Sequence, residues 1–346
     1  MTFKRARPLT LKQVAEKIGV SSATISNAFN RPSQLSMELR EDILLACKSM
    51  GYSGPQAEFR QRRTAKTKLI GVITPHPTNF LLSDPVSHYM LQGLSNVFDK
   101  HHYNLLFLSS DQTLRHIVNF VEGFIVYQWI PQDRIDELAH YKKAVIAIDC
   151  LLKRSTTINI DNRKAAYDCA HHALTMFSGK VVILGLNIAD ASTTVSLKDA
   201  AMKTDPTNIM LERLKGYRSA FKQKRVALPH SNIWSIPNNN SFLAYETAKY
   251  ILKQNDKADV LLCMTDCLAL NAIRAAKDLG IPVPDKLKVI GFDNTIEGQD
   301  ATPALTSPTQ SSFDRGKAAA KMFLGIREEK SLLQHCPLEV RGSSAS

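Results

Sequence analysis

The feature of this sequence that most constrains its fold is a regular alternation, from Lys68 onward, of short apolar runs with segments of helical pattern. Buried runs separated by helices are typical of parallel βαβ units. The first set of runs is LIGVIT, YNLLFLS, GFIVY, AVIAID and TTINID, and the second is KVVILGL, NIWSIP, DVLLCM and LKVIGFD. Helices are expected over residues 86–101, 163–177, 208–224, 242–253 and 266–279. Two such sets predict an α/β body of two lobes, each a doubly wound parallel sheet.

Several of the predicted strands end in an aspartate. These residues are Asp149, Asp161, Asp266 and Asp293. Open parallel sheets bind ligands in the crevice beyond the carboxyl ends of their strands, which makes these carboxylates candidates for a ligand site. The alternative interpretation is that they cap the helices that follow, and for Asp161 and Asp266 it is at least as well supported.

The first sixty residues have a different pattern, that of three short helices around one small core. The first helix ends at Gly19, which can adopt the positive φ that terminates a helix. Ser21 or Ser22 can cap the second helix and Ser36 the third. The apolar stripe of the third helix comprises Leu39, Ile43, Ala46, Cys47 and Met50. Helix, glycine turn and helix form the helix-turn-helix pattern, whose second helix enters the major groove of DNA.

The positive charge of the chain is concentrated in this segment. Residues 1–68 contain 13 Lys and Arg against 5 Asp and Glu, a net charge of +8 out of +12 for the chain. A basic, compact segment attached to a nearly balanced body is typical of a polyanion-binding head. A solvated basic face is the alternative interpretation of the charge alone.

Sequence segments in both parts follow the patterns of one known family. In the head they are TLKQVAEKIGVSSATISNAFN and LSMELREDILLACKSMGY. In the body they are ERLKGYRSAF, TDCLALNAIRAAKDLGIPVPDKLKVIGFDN, PALTSPTQ and LEVRGSS. On these segments the chain resembles the lactose/galactose repressor (LacI-type) family of bacterial transcription factors, over nearly its whole length. It departs from the family at MFSGKVVI, which replaces a common glycine-histidine step, and in a short first lobe between Ser110 and Glu122.

The resemblance implies a set of DNA contacts in the head. Groups that hold phosphates fall at Thr10, Ser21, Thr24, Ser26, Asn30 and Ser36, and groups that read base edges fall at Ser22, Ala23 and Asn27. Small polar groups at a helix N-terminus can cap the helix or bind phosphate with the same geometry, so both interpretations hold together. Among the base-reading positions, only Asn27 has an amide that can pair bidentately with adenine.

The segment SGPQAEFRQRR corresponds to the family's hinge helix, which forms over the DNA minor groove when two subunits meet. Pro55 fits its start, and Gln56 fits a contact to the DNA backbone. Arg62 falls where the family inserts a leucine, and Phe59 falls where it has a small residue. Arg62 can instead enter a narrow minor groove, or the basic run is only a solvated linker. The nine residues 55–63 are too few for a stable lone helix, so we expect this helix to depend on DNA.

The resemblance also implies an effector site between the lobes. The expected polar anchors are Ser83, Asp84, Asp149, Arg213, Asp266 and Asp293. Carboxylates and a guanidinium suit a small polyhydroxylated ligand, because hydroxyl groups donate to the former and accept from the latter. A carbohydrate or a nucleoside is therefore expected, and no aromatic stacking residue can be assigned from the sequence.

These predictions divide the chain into a helix-turn-helix domain over residues 1–53, a hinge over 54–67 and an effector-binding and dimerisation domain over 68–346. Within the last, lobe 1 is expected over about 68–174 and 310–332, and lobe 2 over about 175–309 and 333–346.

The predicted function is that of a DNA-binding transcriptional regulator, a repressor whose operator affinity is controlled by the effector. One head reads only a half-site, so a homodimer on a palindromic double-stranded operator is expected. The sequence has no phosphate loop, no Gly-x-Ser-x-Gly elbow and no His-Glu-x-x-His, and neither an enzyme, a metal site nor a cofactor is expected. The alternative is a sugar-binding transport protein of the same two-lobed build. Such a protein would carry a secretory signal, whereas the N-terminal residues lack the necessary apolar run, so a cytoplasmic location away from the membrane is expected.

Overall fold

The computed structural model describes residues 9–52, 54, 67–150, 152, 155–205, 207–254, 258–329 and 331–345 of the 346-residue chain. The chain divides into two compact units, Met1–Thr67 and Lys68–Ser346, which we call the head and the body. The predicted hinge contacts Gln56 and Arg62 lie outside the described residues, and their roles stay predictions.

In the described part of the head, three α-helices surround one small core. They are α1 (Leu11–Ile18), α2 (Ser22–Asn30) and α3 (Met37–Ser49), and a 3₁₀ turn at Pro32–Gln34 precedes α3. The buried core residues are Val14, Ala15, Ile25, Ala28, Ile43 and Cys47. This confirms the predicted helix-turn-helix arrangement.

Local sequence explains where these helices begin and end. Thr10 and Gln13 form a reciprocal capping box at the start of α1, and Gly19 ends α1 with a φ of +77°. The hydroxyl oxygens of Ser21 and Ser36 accept backbone N–H groups at the starts of α2 and α3.

The interpretation of Leu39 as part of the apolar stripe of α3 is wrong, since its side chain is 41% exposed. Leu39 lies one turn before Ile43 and does not reach the core. From α3, Ile43 and Cys47 are buried in the core, and Met50 packs against it.

The body contains parallel strands arranged in two sheets, as predicted. The strands are β1 (Leu69–Thr74), β2 (Asn104–Ser109), β3 (Gly123–Tyr127), β4 (Ala144–Ile148), β5 (Thr156–Ile160), β6 (Val181–Leu186), β7 (Val195–Ser196), β8 (Ile233–Ile236), β9 (Val260–Cys263), β10 (Lys288–Ile290), β11 (Ser307–Pro308), β12 (Ser331–Gln334) and β13 (Leu338–Glu339). The first sheet has the order β12-β5-β4-β3-β1-β2 with every pair parallel. The second has the order β10-β9-β6-β8-β7, in which only the edge strand β7 is antiparallel. Each sheet is the centre of one lobe.

The chain passes between the lobes after β5, near β11 and after β12. Strands β11 and β13 pair with each other antiparallel in this crossover region. A late segment of the chain, β12, thus completes the sheet that the first half of the body began. Residues from both lobes therefore converge at the crossovers.

Helices cover both sheets. They are α4 (Thr78–Ser83), α5 (Pro85–Phe98), α6 (Gln132–Tyr141), α7 (Asn162–Met176), α8 (Ile209–Lys224), α9 (Ser241–Lys253), α10 (Asp266–Asp278), α11 (Ile296–Asp300) and α12 (Ser312–Phe323). The sequence patterns located α5 and α7 to α10 within a few residues but did not identify α6 or α12. Helix α12 approaches α5 so closely that a Cβ atom on Gly316 would lie 2.2 Å from the carbonyl oxygen of Met90. Among the described helices, none is both long and apolar enough to cross a membrane.

Candidate functional site

The body contains a cleft of about 560 Å³ at the carboxyl ends of strands from both sheets. Its walls include four of the polar anchors expected from the sequence, namely Asp84, Asp149, Arg213 and Asp293. Asp149 follows β4 of the first sheet, and Asp293 follows β10 of the second. The cleft therefore lies where open parallel sheets bind their ligands.

Strained backbone residues cluster at the same strand ends. Gln128 after β3, Asp149 after β4 and Asn187 after β6 have φ values of +65°, +52° and +52°, and Asp293 has a φ of +150°. Non-glycine residues adopt this left-handed region at a cost of about 1–3 kcal/mol each, and such residues concentrate at ligand sites. All four residues line the cleft.

A chain of hydrogen bonds joins the two lobes beneath the cleft. Arg315 Nη1 donates to Asp149 Oδ1 over 2.5 Å, and Arg315 Nη2 donates to Gln310 Oε1 over 3.2 Å. Gln310 Nε2 in turn donates to Asp293 Oδ1. Because Gln310 lies in the crossover between β11 and α12, this chain runs from the strand end of one lobe to that of the other.

Arg213 lies on α8 with only 3% of its surface exposed. Its Nε donates to Asn162 Oδ1 over 2.8 Å, and its Nη1 donates to the carbonyl oxygen of Met264 and lies 3.6 Å from Asp293 Oδ1. The guanidinium also lies 3.6 Å from the centre of the Phe292 ring. This guanidinium is preorganised, with its orientation fixed before any ligand arrives.

The carboxyl group of Asp293 has an unusual electrostatic environment. Burial raises its pKa well above its usual range, whereas the neighbouring Arg213 opposes that shift. Its two oxygens accept from Gln310 and, over 3.1 Å, from the backbone N–H of Asp266. Two hydrogen bonds thus orient the carboxyl group of Asp293, and the guanidinium of Arg213 lies close to it.

Asp266 is placed beneath the cleft and is not one of the residues lining it. Its carboxylate accepts from the backbone N–H and hydroxyl of Thr295 and from the hydroxyl of Ser307, while Thr265 caps α10 in its place. Asp266 therefore braces the loop that contains Asp293. Asp161, the other aspartate with two interpretations, caps α7 by accepting from the N–H of Lys164 over 2.9 Å.

Asp84 connects the lobes at the other side of the cleft. It caps α5 through the N–H of Ser87 over 3.0 Å, and its second oxygen accepts from Asn239 Nδ2 of the other lobe over 3.4 Å. Thr265 Oγ1 donates to Asn239 Oδ1 over 2.9 Å and fixes that amide. Ser83 is the last residue of α4 and lines an adjoining cavity of about 490 Å³, which Asp84 also lines.

The head presents its own set of polar groups on α2. Ser22, exposed Ala23 and Asn27 lie on this helix, whose start is capped by Ser21. The Ser21 and Thr24 hydroxyls lie 2.8 Å apart, and Asn30 Nδ2 donates to the carbonyl of Ser26 over 2.5 Å. Ser21, Ser22 and Thr24 therefore lie at the N-terminus of the second helix, where backbone N–H groups can bind phosphate, whereas Ser26, Asn27 and Asn30 lie in its later turns.

The head and the body each match a known protein family. Residues 10–54 match the bacterial regulatory proteins of the lacI family, and residues 198–344 match the periplasmic binding protein-like domain. The head is a LacI-family DNA-binding domain.

Relatives of the protein align with nearly the whole chain. An HTH-type transcriptional regulator of Mycobacterium tuberculosis is 28% identical over 329 residues, which cover 92% of this chain and 91% of that protein. Catabolite control protein A of Priestia megaterium is 26% identical over 330 residues, which cover 91% of each. The chain is a DNA-binding transcriptional regulator, as predicted, and not a transport protein or an enzyme.

Solved structures confirm the fold. A LacI-family regulator from Corynebacterium glutamicum superposes with a TM-score of 0.67 at 23% identity, covering 98% of this chain and 100% of that chain. The lac repressor dimer bound to operator and an anti-inducer superposes with a TM-score of 0.66 at 17% identity and the same coverage.

Sequence reasoning did not identify several cleft residues of the body. They are His76, Gln128, Trp129, Asn187, Lys203, Asn208, Asn238, Asn239 and Gln310. Gln310 belongs to the segment PALTSPTQ, whose family pattern was the available signal. The others lie mostly in loops after strands, where residue type alone does not distinguish a ligand contact from a turn.

Proposed function

We propose that this regulator is a repressor whose affinity for a palindromic operator is controlled by a polyhydroxylated effector, a carbohydrate or a nucleoside, bound between the lobes. The observation that carries the proposal is the preorganised polar floor formed by Asp149, Arg213, Asp293 and Gln310. Ionised and amide groups fixed in this way match hydroxyl groups, each of which donates one hydrogen bond and accepts others.

The ligands of structural neighbours support this class of effector. One neighbour, the transcriptional regulator CelR, is a complex with cellobiose, and another, from Enterococcus faecium, contains bound ribose. Both superpose on this chain with a TM-score of 0.66. Their polyhydroxylated ligands favour the same chemistry in the cleft of this chain.

In the head, Ser22, Ala23 and Asn27 are proposed to read base edges. The proposed phosphate contacts are Thr10, Ser21, Thr24, Ser26, Asn30 and Ser36. In the hinge, Gln56 is proposed to contact the DNA backbone and Arg62 the minor groove. Each head reads one half-site, so the regulator acts as a homodimer on a two-fold symmetric operator. Action on DNA places it in the cytoplasm.

Effector control is proposed to act through the groups that join the lobes. The chain from Asp149 through Arg315 and Gln310 to Asp293 contains three cleft residues, Asp149, Gln310 and Asp293. The two aspartates follow strands of different lobes, so a ligand that contacts both favours one arrangement of the lobes. Couplings of this kind usually amount to about 1–3 kcal/mol between effector and DNA. Whether the effector releases DNA or promotes binding depends on which arrangement it favours.

The experiment that tests this function is selection of bound sequences from a random duplex library with the purified full-length protein at two salt concentrations. Enrichment of one palindrome, with affinity that falls steeply as salt rises, is expected, because phosphate contacts release counterions. The selected operator then serves to screen sugars and nucleosides for a change in affinity. Enrichment of a motif without two-fold symmetry would overturn the homodimer, and an operator affinity that no sugar or nucleoside changes would overturn the effector class.

A further inference from the structure

One wall of the cleft contains a tryptophan with an unusually large exposed surface. Trp129 is 46% exposed and lines the cleft, and its ring stacks on no other aromatic ring of the described residues. The second tryptophan of the chain, Trp234 on β8, packs edge-on against Tyr250 with ring centres 5.5 Å apart. A large apolar ring that stays exposed in a concave site offers a flat surface on which a ring of a ligand can stack.

The residue that precedes Trp129 is held in place by its contacts. Gln128 adopts a φ of +65°, and its Oε1 lies 2.6 Å from Nε2 of His76. The His76 ring stacks on Phe80 with ring centres 4.4 Å apart. The turn that follows β3 is therefore rigid, and it keeps Trp129 at the cleft wall without help from a ligand.

Apolar groups of the other lobe line the same cleft. Leu186 ends β6, and Ile209 and Met210 begin α8. The cleft thus combines a polar floor, suited to hydroxyl groups, with apolar walls that a polyhydroxylated ring alone would leave uncovered. Its volume of about 560 Å³ lies within the range of roughly 300–1,000 Å³ of pockets that enclose drug-sized ligands.

We propose that the effector consists of two joined rings, a hydroxylated sugar ring on the polar floor and a second ring whose flat face stacks on Trp129. Disaccharides, aryl glycosides and nucleosides share this chemistry, and monosaccharides lack it. The proposal rests on the proposed function, which it narrows from polyhydroxylated effectors in general to two-ring effectors. Trp129 is in this view the residue that determines specificity for the second ring.

The test compares pairs of probes that share one ring, by calorimetric titration of the full-length protein. The pairs are glucose with cellobiose, galactose with o-nitrophenyl galactoside, and ribose with adenosine and with uridine. Each pair is titrated into the unmodified protein and into Trp129→Ala, Trp129→Phe and Trp234→Phe. The last variant is the matched control and also leaves Trp129 as the only tryptophan, so its fluorescence reports directly on the cleft.

In at least one pair, the two-ring probe is expected to bind roughly tenfold or more tightly than its single ring, a difference typical of one aromatic stacking contact. Trp129→Ala should remove most of that difference and leave the affinity for the single ring within about twofold, whereas Trp129→Phe should retain much of it. Trp234→Phe should bind like the unmodified protein, and its emission should change on addition of the two-ring probe.

Three results would overturn the proposal. The first is a single-ring sugar that binds as tightly as its two-ring partner and that shifts operator affinity. This result would leave the proposed function intact and show that the effector needs no second ring. Equal losses for both members of a pair in Trp129→Ala would show that the tryptophan only supports the fold. If none of these probes binds, the polyhydroxylated effector itself is wrong, and the two-ring proposal fails with it.

Discussion

Arg315 on α12 and Asp149 at the end of β4 form an ion pair of 2.5 Å in which the arginine side chain is fully buried. Arg315 Nε has no hydrogen-bond partner among the described residues. Burying two charges costs several kcal/mol per ion, which the attraction between them offsets only if both partners are present. The stability of the body therefore depends on an ion pair that lies directly at the ligand cleft.

We expect Arg315→Met to lower the free energy of unfolding of the body by about 3–5 kcal/mol, because Asp149 would remain charged and unpaired in a buried site. The double variant Asp149→Asn, Arg315→Met should recover most of that loss. Urea unfolding followed by tryptophan fluorescence measures this, since both tryptophans lie in the body. As a control, Arg327→Met breaks the more exposed pair with Glu329, of 2.7 Å, and should cost less than about 1 kcal/mol.

The raised pKa of Asp293 predicts a dependence of stability on pH. The folded state holds the proton of this carboxyl more tightly than the unfolded state, so the group favours folding at low pH. That contribution is lost as the pH rises from the ordinary aspartate pKa of about 3.9 through the raised folded value. Above about pH 4, the unfolding free energy of the unmodified protein should therefore decline as the pH rises, and Asp293→Asn should remove that decline.

A suitable control for this measurement is Glu329→Gln. The hydrogen bond from Arg327 lowers the pKa of Glu329, so the contribution of this carboxylate to stability has the opposite sign and is complete above its ordinary pKa of about 4.3. Its replacement should leave the slope unchanged. A slope in Asp293→Asn equal to that of the unmodified protein would contradict the role given to Asp293.

Arg213 should be required for the effector response. Arg213→Ala removes a fixed guanidinium from the cleft, and loss of one charged hydrogen bond to a ligand corresponds to a roughly 10–150-fold increase in effector Kd. Arg213→Lys should give an intermediate value, because lysine keeps the charge without the planar fork. Arg218→Ala, on the same helix outside the cleft, serves as the control. Operator affinity without effector should stay within about threefold in all three variants, and a normal effector response in Arg213→Ala would exclude the residue from the site.

In the head, Asn27 and Asn30 offer a matched pair of asparagines on one helix. Asn30 Nδ2 donates to the carbonyl of Ser26 within α2, whereas the Asn27 amide makes no hydrogen bond to the residues that the structure describes. Asn27→Ala should relax base preference at one operator position by about 1–3 kcal/mol, while Asn30→Ala should weaken binding evenly across sequences. Competition binding against operators varied at single positions distinguishes the two, and an unchanged preference in Asn27→Ala would rule out its role in reading bases.

The sequence predicted the layers of this protein better than its contacts. Alternating apolar runs located the parallel strands, because burial on both faces of a sheet leaves a clear apolar signature. Strand-end aspartates located the cleft edge, but the pattern gave Asp266 and Asp293 the same role, and only packing shows that one braces the other. Arg315 and Asp149 are distant in sequence, and Trp129 is placed by a turn. No local sequence pattern predicts either arrangement.

Gly54, the first residue of the predicted hinge, is buried against α2. Its φ is +104°, and a Cβ atom there would lie 2.6 Å from Cδ1 of Phe29, whose ring packs edge-on against Tyr52. Gly54→Ala should therefore have two effects, since it should strain the backbone and also displace Phe29. Gly51 is the matched control, because its φ is also positive, at +67°, but a Cβ atom there would meet nothing within 4 Å. Hydrogen exchange of the full-length protein, read by mass spectrometry, should show peptides of α1 to α3 exchanging at least about fivefold faster in Gly54→Ala than in Gly51→Ala, with body peptides unchanged. Equal exchange in the two variants would mean that Phe29 yields freely, and that the head does not fix the point where the hinge begins.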